Sequence, residues 1–255
     1  MYSTTNERNY WKRALPIQTC PFGKEISTVV RTEGNQNVPE EAAGIVSYSL
    51  FGNYEKYSIT LLESIPNIQK LLPNWYARVY VGKDIPISIL NDLVSQGAQV
   101  YIMGPVPVGF EAALWRYLPA GELLPFVSLD ADDLFDTCIA NSIESWLRSG
   151  KTFANFSPHA FVVPMAAGLW GSRPINDGGV NTPSIPEIGN LLDSYCEHWF
   201  GFDEAFLKHN VWPLFKQHGY YQVKNYHLRE LFILLIVVLV IMMIVSLNKA
   251  YKVNT

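Results

Sequence analysis

From Gly44 to Gly150 the chain alternates short apolar runs with stretches of helical periodicity, and this rhythm limits the possible folds more than any other feature. GIVSYSL (44–50) reads as a buried strand. Residues 54–71 carry Tyr57, Leu61, Ile65 and Ile68 at helical spacing, and Pro73 ends the run. ARVYVG (77–82) and QVYIM (99–103) read as strands. Between them Pro86 opens a helix with Ile89, Leu90, Leu93 and Val94 on one face, and Gly97 closes it. A short helix over 110–118 precedes a strand at LPFVSL (124–129). A further helix over 136–149 turns Ile139, Ile143, Trp146 and Leu147 inward and stops at Gly150. The pattern predicts an α/β fold, a single Rossmann-like domain over residues 44–227 with a mainly parallel sheet. Ligands of such sheets sit beyond the carboxyl ends of the strands.

The 255 residues are 49% hydrophobic and 13% aromatic, enough for a full core. With 19 basic against 23 acidic side chains the net charge is −4, which argues against a nucleic-acid coat protein. The three cysteines, Cys20, Cys138 and Cys196, show no zinc or disulfide spacing and suit a reducing compartment. Residues 1–43 are polar and read as irregular. Near the other end, LFILLIVVLVIMMIVSL (231–247) contains no charge and only one polar residue, Ser246. It predicts a single transmembrane helix over 228–248, followed by a short tail over 249–255. The distribution of lysine and arginine around it favours a cytosolic working domain held to the membrane by this helix. A buried core helix is the other reading of that run.

The strand at 124–129 runs into Leu129-Asp130-Ala131-Asp132-Asp133. Carboxylates two apart on a chain leaving a strand can converge on one hard cation, Mg²⁺ or Mn²⁺, which can hold a diphosphate. The alternative is that Asp132, Asp133 or Asp136 caps the next helix.

FVSLDADDLFDT resembles the nucleophile motif of haloacid-dehalogenase phosphatases, with Leu134 at the motif's Thr/Val position. More of the chain resembles the GT-A-fold glycosyltransferases, in particular a group of bacterial and viral members. LWRYLPAGELLPFVSLDADDLF is similar to their aromatic-Arg helix followed by a D-x-D strand. NYEKYSITLLESIPNIQKLLPNWYARVYVG resembles their opening. AAGLWGSRP (166–174) and GFDEAFLKHNVWPLF (201–215) resemble their Gly-Met-Trp-Gly and Asp-Gln-x-x-Leu segments. The chain departs from that group at Leu129, at Asn155-Phe156-Ser157-Pro158 and at Glu204, where the group carries Arg, Arg-Asp-His-Pro and Gln.

The resemblance implies a nucleotide-sugar donor, UDP- or GDP-linked, and a glycan, lipid or protein acceptor. It implies donor contacts from Ser47, Tyr48, Ser49, Phe51, Tyr57, Arg116 and Asp130. It implies a metal held by Asp130 and Asp132 with a third ligand at His218, or else His227. Gly168, Trp170 and Gly171 would meet the acceptor, with His159 a further candidate. Asp203 or Glu204 would act as base or as transition-state carboxylate. For Tyr48, Phe51, Tyr57, Arg116, Gly168, Gly171 and the Asp203–Glu204 pair, purely structural roles stay open. Two other functions do too: a catalytically degenerate membrane-bound binding protein, and a phosphatase with Asp130 as nucleophile.

Overall fold

The computed structural model describes residues 29–52, 54–104, 110–156, 165, 167–174, 201–215 and 219–221. They form one eight-stranded sheet flanked by helices: β1 (Val29–Glu33), β2 (Gly44–Leu50), α1 (Tyr54–Leu71), β3 (Trp75–Val81), α2 (Ile87–Ser95), β4 (Gln99–Met103), a 3-10 segment (Phe110–Gly121), β5 (Phe126–Ser128), α3 (Thr137–Ser149), β6 (Phe153–Asn155), β7 (Trp170–Ser172), α4 (Phe202–Phe206), a π-helical turn (Leu207–Val211), α5 (Trp212–Phe215) and β8 (Gly219–Tyr221). The spatial order is β1-β4-β3-β2-β5-β7-β6-β8. β2 pairs in parallel with both β3 and β5, and β3 with β4; β1 and β7 run against their neighbours.

The α/β reading therefore holds, with a mostly parallel centre. One correction concerns the segment read as irregular over 1–43: Val29–Glu33 is the antiparallel edge strand β1. The expected helix over 110–118 is a 3-10 segment that runs on to Gly121, with Pro119 inside it. The run at 231–247 lies outside the described residues, and among the described residues no helix is long and apolar enough to cross a membrane.

The core divides by strand alternation, because successive side chains point to opposite faces. Val46, Tyr48 and Leu50 of β2 and Ala77, Val79 and Val81 of β3 pack against Leu61, Ile65 and Ile68 of α1, Leu90 and Leu93 of α2, and Ile139, Ile143 and Trp146 of α3. Ile45, Tyr76 and Phe126 face the other way, toward Leu114 and Tyr117 of the 3-10 segment and Phe206, Leu207 and Val211. That second face also carries Arg78, buried and satisfied by Gln99 (2.8 Å), the Tyr76 hydroxyl (2.8 Å) and Glu122.

Candidate functional site

From β2 the chain winds outward through β3 to β4, then returns to place β5 on the opposite side of β2. This reversal opens a crevice between the carboxyl ends of β2 and β5, where α/β sheets bind ligands. Leu50 and Phe51 leave β2 there, and Leu129-Asp130 leave β5.

Arg116 organises the crevice. Its backbone N–H donates to Ser49 Oγ (3.0 Å), tying the 3-10 segment to the end of β2. Its guanidinium is almost wholly buried and bridges two carboxylates: Nη1 meets Asp130 Oδ1, and Nη2 meets Asp203 Oδ2 at 2.9 Å. One buried cation thus joins the loop after β5 to α4. Asp203 is 13% exposed, whereas Asp130 is 41% exposed and open to a ligand. The Arg116 Nε–H has no partner among the described residues, which leaves one buried donor unmatched.

The loop bearing the two aspartates is held from both ends. The Asp133 N–H donates to the Asp130 carbonyl (3.0 Å). From α1, Ser64 Oγ accepts from the Phe135 N–H (2.9 Å) and donates to the Asp133 carbonyl (3.4 Å), and Asn67 donates to the Phe135 carbonyl (3.2 Å). The helix-capping role falls to Asp136, whose Oδ1 accepts from the Ile139 N–H (2.8 Å) at the start of α3. Asp130 and Asp132 are therefore not spent on the cap. Asp132 is half-exposed, and its Oδ2 lies 3.7 Å from Lys56 Nζ in the first turn of α1.

Gly168 closes against Asp130. A Cβ on Gly168 would stand 2.6 Å from Asp130 Oδ2, so only glycine admits the carboxylate there. The next residue, Leu169, has φ 69°, a left-handed conformation that costs a non-glycine residue about 1–3 kcal/mol. Hydrogen bonds from the Leu169 N–H to the Ser128 carbonyl (2.8 Å) and from the Phe156 N–H to the Leu169 carbonyl (2.8 Å) hold it.

Several expected contacts take other positions. Tyr48 is fully buried on the α1 side of the sheet and offers no face to a base. Trp170 is also fully buried, edge-on to Tyr117 (centroids 5.3 Å) and Phe126 (5.0 Å), and makes no platform for an acceptor. Gly171 sits in the middle of β7, where a side chain would strike the Phe126 carbonyl and crowd the Val127 side chain; its smallness serves sheet packing. Ser47 is fully buried, one row below Ser49 on the same face of β2. Phe51 remains partly exposed at the crevice, edge-on to Trp115 (6.4 Å). Tyr57 is partly exposed beside Lys56, whose Nζ lies 4.5 Å from its ring centroid. His159, His218 and His227 lie outside the described residues.

The crevice is acidic, with Asp130, Asp203 and Glu204 gathered around one guanidinium. Burial works against the charge on Arg116, but Asp130, with Tyr117 and Asp203, outweighs it and holds the group charged. Burial pushes the Asp203 carboxyl up by more than Arg116 draws it down. Glu204 is pushed up to about 7, chiefly by burial, then by the charges of Asp203 and Asp130. A carboxyl that titrates near neutrality can take or give a proton at working pH.

Among the described residues no group of three or more His, Cys, Asp or Glu side chains is arranged to hold a metal. Asp130 and Asp132 are the two carboxylates that the end of β5 offers to a hard cation, and Mg²⁺ commonly binds through one or two carboxylates plus substrate phosphates and water. Of the residues expected from the sequence, Arg116, Asp130, Asp203 and Glu204 are brought together here. Lys56 and Ser64 lie in the segment over 53–82 and Leu169 in the segment over 166–174, but the resemblance gives none of the three a role. No protein-family model matches the chain, and comparison with curated proteins yields no significant match.

Proposed function

We propose that the protein is a glycosyltransferase of the GT-A type that moves a sugar from a nucleoside-diphosphate donor to a hydroxyl acceptor. The observation that carries this reading is the meeting of Arg116, Asp130, Asp203 and Glu204 at the switch between β2 and β5, with Asp132 exposed beside them. Asp130 and Asp132 would hold Mn²⁺ or Mg²⁺, which supplies positive charge to a departing diphosphate. Two carboxylates make an incomplete cation site, so metal and diphosphate are expected to bind together. Arg116 fixes the orientation of Asp130. Phe51 and Tyr57 offer partly exposed aromatic faces for the base. Glu204, titrating near neutrality, is the favoured group to accept the proton of the acceptor hydroxyl. Asp203, tied to Arg116, positions α4 and so the neighbouring Glu204.

A phosphatase with Asp130 as nucleophile fits less well, because one oxygen of that carboxylate is held by the buried Arg116 guanidinium. The decisive experiment is calorimetric titration of the full chain with UDP and GDP, with and without Mn²⁺. Binding is expected only with the metal, and Asp132→Ala should weaken it by at least about tenfold. Metal-independent binding, or binding untouched by that substitution, removes the reading.

A further inference from the structure

Among the described residues, Arg116 pairs with Asp130 and Lys56 with Asp132, and the two cations differ in kind. Arg116 is buried and held by two carboxylates, so it does not move without dismantling the crevice. The Lys56 side chain is 60% exposed and its ion pair with Asp132 is long, at 3.7 Å. Such surface pairs are weak and exchange freely. From the same position the ammonium lies 4.5 Å from the Tyr57 ring centroid and 3.4 Å from the Tyr57 hydroxyl. Lys56 therefore stands beside Asp132 on an exposed, flexible stem.

We infer that Lys56 is a positioning residue that guards Asp132 in the free protein and passes to the diphosphate of the donor when a divalent cation takes its place. This rests on the functional reading above and extends it to a residue to which the resemblance assigns no role. The exchange follows from charge. A divalent cation on Asp132 repels an ammonium less than 4 Å away, while the diphosphate arriving with the metal brings new negative charge to the same edge. A lysine acts on phosphate as a mobile point charge, which suits a group that changes partners. Ordered binding results: metal alone competes with Lys56, whereas metal with diphosphate recruits it.

The test is titration of the full chain with Mn²⁺ alone, and with UDP and GDP in saturating Mn²⁺, for the wild type, Lys56→Met and Lys56→Arg. Lys56→Met should bind Mn²⁺ alone about two- to fivefold more tightly, because the competing charge is gone. It should bind the diphosphate with Mn²⁺ about tenfold more weakly, because a charge-assisted contact is gone. Lys56→Arg should restore most of the second effect. A wild-type chain that binds no diphosphate with Mn²⁺ defeats the functional reading itself. Binding retained in the wild type, with both affinities unchanged or moving in the same direction in Lys56→Met, overturns the role of Lys56 alone.

Discussion

Asp130 shows how closely one side chain can be prescribed by its neighbours. Arg116 takes one oxygen and the absent side chain of Gly168 makes room for the other. Gly168→Ala should therefore displace the carboxylate. Mn²⁺-dependent UDP or GDP binding is expected to fall by at least about tenfold, through loss of a charge-assisted contact. Far-ultraviolet circular dichroism should stay unchanged, and calorimetry with the spectrum checks both. Glu204 supplies a second test. Its folded value, about 7, stands above its ordinary 4.5, so the folded chain holds this proton more tightly than the unfolded chain does. The stability that results is full below about pH 4.5 and is lost as pH rises through about 7. Glu204→Gln should flatten that decline, leaving the variant with a higher melting temperature than the wild type at pH 8, and it should abolish any rate limb near neutrality. Melting curves from pH 4 to 8 read the first effect and a pH–rate profile the second.

The elements that carry these residues were legible because their signals are local. β2, α1 and β4 have the bounds that alternation and helical spacing imply, and α3 begins after the Asp136 cap and ends at Gly150, which has φ 73°. Asp136→Ala should cost about 1 kcal/mol, the usual loss of an N-cap, measurable as a lowered denaturation midpoint. It should leave Asp132 and diphosphate affinity in place, which separates the cap from the cation pair. The 3-10 segment was harder to read. Its apolar pattern allows an ordinary helix, but Pro119 removes a backbone donor, and the segment must pass over β2 to reach β5. Buried Trp170 and Tyr48 mislead in another way: aromatic side chains look alike in a sequence whether they face a ligand or the core, and strand parity about the finished sheet decides which.

Across the whole molecule, the parallel centre is covered on both faces while β1 forms an exposed edge. Amide hydrogen exchange should be slowest in β2 and β3, which are buried along their full length and flanked on both sides by strands. It should be markedly faster in β1, where Val29, Val30 and Arg31 are exposed. Equal protection in β1 and β2 would show that the edge is covered in solution.

The order of residues was enough to specify an α/β layer, the carboxylates at the end of β5 and the candidacy of Arg116, Asp203 and Glu204, since periodicity, caps and D-x-D spacing span only a few residues. The partnership of Arg116 with Asp203, 87 positions later, belongs to the tertiary structure. So do the closure of Gly168 on Asp130 and the meeting of Lys56 with Asp132. Each of these contacts joins segments that approach only after the strands have taken their places. Burial and neighbouring charge, which set how the carboxyl groups titrate, exist only in that assembled crevice.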